Sequence, residues 1–167
     1  MAGTQTGIGG PVLRLAFTGF HESSPLLEIE AWIPSDVKAI SPLVDRLMRL
    51  IEGSRCITGN EPAVELALQE ALSNAVVHGN RMDVQKFVQV CCRFELGKGL
   101  CIFVKDQGLG FDPSAVPDLF TPEKLKSENG RGIHLMKLAM DEVSFEHGGT
   151  EVCMRKDLAN ETGKRPR

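Results

Sequence analysis

Glu61-Pro62-Ala63-Val64-Glu65-Leu66-Ala67-Leu68-Gln69-Glu70-Ala71-Leu72-Ser73-Asn74-Ala75-Val76-Val77-His78-Gly79 carries one unbroken apolar stripe. Val64, Ala67, Leu68, Ala71, Leu72, Ala75 and Val76 recur at three- and four-residue steps, the period of a helix with one buried face. Asn60 stands where a cap is wanted, and Pro62 suits a first turn. Gly79, after His78, can take the left-handed conformation that ends a helix. A helix of this kind must lay its stripe on another layer.

The flanking segments supply that layer. Upstream, Val12–Phe17 and Leu26–Ile33 read as strands, the second with Leu27, Ile29 and Ala31 on one face and Glu28 and Glu30 on the other. A helix follows, with Ile40, Leu43, Val44, Leu47, Leu50 and Ile51 in period. It is capped by Ser35 or begins near Ser41 with Pro42 in its first turn, and Gly53 is its natural stop. Downstream, Lys86–Leu96 and Leu100–Asp106 form a hairpin turned at Gly97-Lys98-Gly99. A loop rich in Gly, Pro, Asp and Ser runs from Gln107 to about Asn129, long enough to be read as a functional lid. A helix over Ile133–Met140 and a last hairpin, Val143–His147 with Glu151–Arg155 about Gly148-Gly149, complete the chain. The pattern predicts an α+β two-layer sandwich, a mostly antiparallel sheet with helices on one face. Residues 1–10 are expected to be a disordered lead-in, 11–157 the domain, and 158–167 a disordered tail.

Composition narrows the function. At 167 residues the chain makes one domain, and a hydrophobic share of 42% supplies a core without staples. With 19 basic and 22 acidic residues the net charge is −3, which argues against direct nucleic-acid binding. No apolar run reaches the length of a membrane span, and residues 1–10 do not read as a signal peptide. Cys56, Cys91, Cys92, Cys101 and Cys153 are odd in number and lack C-x-x-C spacing, so neither a disulfide framework nor a zinc site is expected. They read as small buried hydrophobes in a reducing cytoplasm.

Three polar groups stand out. Glu70, Asn74 and His78, four residues apart, line one strip beside the apolar stripe. Asn is a weak helix former, so a carboxylate–amide pair there could hold a hard cation such as Mg²⁺, or position a water or hydroxyl; taken alone, such a strip is also an ordinary solvated edge. Asp106-Gln107-Gly108-Leu109-Gly110 ends an apolar strand. Its Asp can accept from an exocyclic amine and its glycines allow close approach of a ligand, although a plain turn reads the same way. Asn129-Gly130-Arg131-Gly132 opens a helix, where free N–H groups favour phosphate and Arg131 could add charge. Neither a Walker A motif nor a dinucleotide fingerprint is present.

In this order the three resemble the motifs of the histidine-kinase-like ATPase superfamily. Glu70-Ala71-Leu72-Ser73-Asn74-Ala75-Val76-Val77-His78-Gly79 resembles its N box, in the E-A-x-x-N-A-x-x-H-G form of the anti-sigma-factor serine/threonine kinases. Asp106-Gln107-Gly108-Leu109-Gly110-Phe111-Asp112 resembles the G1 box, and Gly130–Met136 with Met140-Asp141-Glu142-Val143 the G2 region. The resemblance spans about Leu26 to Arg155. It implies a Bergerat-type sandwich holding ATP and Mg²⁺, with Asn74 on the metal, Asp106 on the adenine amine, Gly108 and Gly110 shaping the pocket, and Gly130 and Gly132 letting the lid close. His78 and Arg131 join the nucleotide-binding set, and Glu70 becomes the general base for a serine hydroxyl. Glu128 and Asn129 stand where some members carry an Arg directed at the terminal phosphate. The implied function is a cytoplasmic kinase that phosphorylates a small STAS-type anti-sigma-factor antagonist, sequesters a sigma factor, and switches between them. The alternative is an ATP-dependent binding module with little or no transfer. A homodimer is also implied, with the early strands and first helix as its contact candidates. A histidine-kinase catalytic domain fits less well, because strands occupy the region where a dimerising helical hairpin would lie.

Overall fold

Alternation in the strands and a helical period elsewhere leave each element with one apolar face, and the structure closes these faces on one another. The computed structural model describes residues 4–5, 12–21, 24–55, 57–95, 98–115 and 131–158. Its strands are β1 (Thr4–Gln5), β2 (Val12–His21), β3 (Ser24–Pro34), β4 (Phe87–Glu95), β5 (Gly99–Lys105), β6 (Glu142–Glu146) and β7 (Glu151–Asp157). Its helices are α1 (Ile40–Ser54), α2 (Glu61–Ser73) and α3 (Arg131–Ala139). The seven strands form one sheet in the order β1-β2-β3-β4-β5-β7-β6. Every neighbouring pair is antiparallel.

One face of the sheet is the core. Ile29, Ala31 and Ile33 of β3, Val88, Val90, Cys92 and Phe94 of β4, Leu100, Ile102 and Val104 of β5, and Val152 and Met154 of β7 are all buried against the helices. All seven stripe residues of the second helix, Val64 to Val76, are buried. Each large apolar side chain taken out of water contributes about 1.5–3 kcal/mol, so this face dominates the stability. Among the described residues no helix covers the other face, where Arg93 of β4 donates to Glu28 of β3 at 2.7 Å and lies 4.8 Å over the Phe103 ring of β5. The two-layer α+β sandwich with helices on one face is therefore borne out. Among the described residues no helix is long and apolar enough to cross a membrane.

Several boundaries differ from expectation. Thr4–Gln5 pair with Leu13 and Arg14, so the lead-in at 1–10 holds a short strand. Ser35 does not cap the first helix. Asp36 caps the 3₁₀ turn Val37–Ala39 that leads into it, accepting from the Lys38 N–H at 2.9 Å, and α1 itself starts after Ala39 with no side-chain cap. Gly53 lies inside α1, and the left-handed residue that ends the helix is Arg55, at φ 56°. Leu50 is exposed, and Met48 takes its place in the buried stripe. Gly79 is not left-handed either; that role falls to Arg81 and Met82, both at φ 56°.

Candidate functional site

The polar strip of α2 is where the layers leave room for chemistry. After Ser73 the helix widens into a π-helical turn, Asn74–Gly79, closed by Asn80 N–H on the Ala75 carbonyl at 2.8 Å. Such turns recur at functional sites because they redirect the side chains that follow. The strip expected from α geometry holds from Glu70 to Asn74, both half-buried, and His78 emerges exposed.

α3 comes directly onto this strip. A Cβ on Gly132 would lie 2.6 Å from Glu70 Oε2 and 3.2 and 3.3 Å from the amide nitrogen and oxygen of Asn74. A side chain at this position would have to displace the Glu70 carboxylate and crowd the Asn74 amide, so glycine suits the close approach of α3. Arg131, the first residue of α3, is exposed beside it. Gly130 and the expected lid from residue 116 to Asn129 lie outside the described residues.

At the far end of the π-helical turn a second cluster forms. A Cβ on Gly79 would stand 2.4 Å from the Asp106 carboxylate, and one on Gly108 would stand 2.2 Å from the Gly79 carbonyl. Gly79 is thus required by the approach of Asp106 to the helix. Asp106 takes the Gly108 N–H on Oδ1 at 2.7 Å, and its own N–H donates to the Thr150 carbonyl at 2.9 Å. Burial raises its carboxyl above the ordinary Asp value; the Gly108 N–H and the charge of Lys86 act against that rise. Gly110, at φ 73°, packs on the β6–β7 turn, where a Cβ would meet the Gly148 carbonyl at 2.0 Å. That same carbonyl accepts from Phe111 N–H at 3.0 Å.

The sequence reading missed Asn80, which is fully buried. Its Nδ2 donates to Ser35 Oγ at 2.6 Å and to the Phe87 carbonyl at 3.0 Å, while its Oδ1 accepts from Gln107 N–H at 2.7 Å. Nothing in a short polar run, Gly79-Asn80-Arg81, marks that residue as interior: its partners lie 45, 7 and 27 positions away. Thr150 was likewise unflagged.

The site is therefore a run of polar contacts along α2 and the turn that follows it, with a carboxylate–amide–glycine contact at one end and a carboxylate seated among glycines at the other. Residues 33–156 match the family described as histidine kinase-like ATPase domain. The anti-sigma F factor of Clostridium novyi is 33% identical over 101 residues, covering 57% of this chain and 69% of that protein. The anti-sigma F factor of Geobacillus kaustophilus is 31% identical over 101 residues, covering 58% and 68%. The serine-protein kinase RsbW of Bacillus subtilis is 37% identical over 106 residues, covering 59% and 65%. The chain belongs to the histidine kinase-like ATPase family, on the side of it that holds the anti-sigma factors and anti-sigma-factor serine kinases.

Proposed function

We propose that this chain is an ATP-dependent serine/threonine protein kinase acting in the cytoplasm, which phosphorylates an anti-sigma-factor antagonist and holds a sigma factor in alternation with it. The observation that carries the reading is the packing of Gly132 on Glu70 and Asn74, which sets a helix N-terminus against a carboxylate and an amide. Asp106 accepts from the adenine amine, in the pocket shaped by Gly108 and Gly110. His78, Gly130, Arg131 and the first turn of α3 serve the nucleotide's phosphates, where free N–H groups favour anions. The oxygen donors at Asn74 and Glu70 suit a hard divalent cation, and Asn74 would hold Mg²⁺ there. When bound, that ion neutralises phosphate charge.

Glu70 orients the incoming serine hydroxyl and accepts its proton. The serine oxygen forms a bond to the terminal phosphorus as the bond to the bridging oxygen breaks, and ADP leaves. Positioning and charge neutralisation do most of the work in such a transfer, which suits a site built from backbone, one carboxylate and one amide.

A second reading, an ATP-dependent binding module with little transfer, is favoured by Glu128 and Asn129 ahead of Gly130, where no cation stands. Incubation with terminally labelled ATP, Mg²⁺ and an antagonist domain from the same host separates the two. Label on an antagonist serine supports the kinase. Tight ATP binding with no label on the antagonist supports the module.

A further inference from the structure

Asp106 can read an adenine amine only if its carboxylate is fixed relative to α2. Its approach to Gly79 leaves almost no tolerance, since a Cβ there would lie 2.4 Å away. On its N-terminal side the peptide is held by its own N–H on the Thr150 carbonyl. On its C-terminal side the next residue, Gln107, is held twice. Its N–H donates to Asn80 Oδ1, and its side-chain Oε1 accepts from the Phe87 N–H, each at 2.7 Å.

Asn80 is the hub of that second support. It follows the π-helical turn directly, so its backbone moves with the end of α2. Both amide hydrogens and the amide oxygen are engaged, joining the end of β3 at Ser35, the start of β4 at Phe87 and the loop after β5 at Gln107. A fully satisfied buried amide is directional in a way that apolar packing is not, and removing it strands several partners at once.

We propose that Asn80 is a positioning residue for nucleotide recognition: it registers Asp106 against the end of α2 and so sets the preference for an adenine base. The inference rests on the adenine role of Asp106 proposed above. Asn80 itself touches Asp106 only through Gln107, so its effect falls on base selectivity more than on phosphate contacts.

The test compares binding of ATP with inosine triphosphate, which carries a carbonyl where adenine carries the amine. Wild type should prefer ATP by roughly tenfold or more, the scale of a hydrogen bond to a charged group. Asn80→Ala should cut that ratio at least threefold, and Asn80→Ser, too short to reach Gln107, should do the same if the alanine variant does not fold. Ser35→Ala removes only the far partner; it should lower the melting temperature and leave the ratio unchanged. Asn80→Asp keeps the acceptor for Gln107 and should retain most of the preference. A folded Asn80→Ala or Asn80→Ser protein with the wild-type ratio overturns the inference while leaving the adenine reading intact. A wild type that binds both nucleotides equally overturns the adenine reading and this inference with it.

Discussion

A single carboxylate, Asp106, shows how burial and function compete at this site. Its raised proton affinity comes first from desolvation, and the Gly108 N–H and Lys86 only partly oppose it. A carboxyl whose folded value lies above its unfolded one binds its proton more tightly when folded, so its contribution to stability declines as pH rises through that window. Protonation also replaces the charged acceptor offered to an adenine amine with a weaker, neutral carbonyl. The preference for ATP over inosine triphosphate should therefore be full near neutral pH and weaken on acidification, beginning above the ordinary value of 3.8. Asp106→Asn should weaken ATP binding by about 1.5–3 kcal/mol. Calorimetric titration across the acid range checks both, and equal affinity of wild type and variant would remove Asp106 from the adenine role. The residue types of the site were legible from sequence because Asn74 at mid-helix and the glycines after Asp106 are costly unless something uses them. The reason for Gly79 was not legible. It looked like a helix terminator, and its true constraint is a carboxylate arriving from β5.

At the scale of elements, hydrophobic period located α2 and the strands correctly, because alternation and the 3.6 repeat report which face is buried. Period says little about how a helix ends. The π-helical turn at Asn74–Gly79 keeps its apolar residues inward, with Ala75 and Val76 buried, so the pattern looks unbroken. At α1 the glycine signal misled: Gly53 is ordinary helix, and Arg55 adopts the left-handed conformation in its stead. A Cβ on Gly53 would meet nothing within 4 Å. Gly53→Ala should accordingly stabilise the protein by about 0.5–1 kcal/mol, through the lower entropy of the unfolded chain and better helix propensity. Chemical denaturation should show a higher midpoint with an unchanged slope; a lower midpoint would mean that the end of α1 is not helical at this position.

For the whole molecule, one sheet with helices on one side places the core and the candidate site together, and among the described residues no helix covers the other sheet face. The cysteines report on that division. Cys92 points into the core and Cys91 to the opposite face, yet both are buried, and burial pushes the Cys91 thiol up to about 11 and Cys92 higher still. Both should stay protonated and unlabelled by a thiol reagent at mildly alkaline pH in the native protein, and react once it is unfolded. Mass mapping that finds native Cys92 modified as fast as in the unfolded chain would contradict the packing of β4. Sequence could place Cys92 in an apolar run; it could not show that the far face shields Cys91, since that depends on neighbours in β3 and β5.

The proposed kinase function turns on Glu70 acting as base at the polar strip of α2. Its most direct test is phosphotransfer to an antagonist serine at saturating Mg-ATP by wild type and Glu70→Gln, with ATP affinity measured in parallel. Glutamine keeps the size and reach of the side chain and cannot take a proton at neutral pH. General-base help is worth about 10²–10⁴ in rate, so the expected outcome is an unchanged dissociation constant for ATP and a transfer rate lower by that factor. A Glu70→Gln protein that transfers phosphate at the wild-type rate would contradict it.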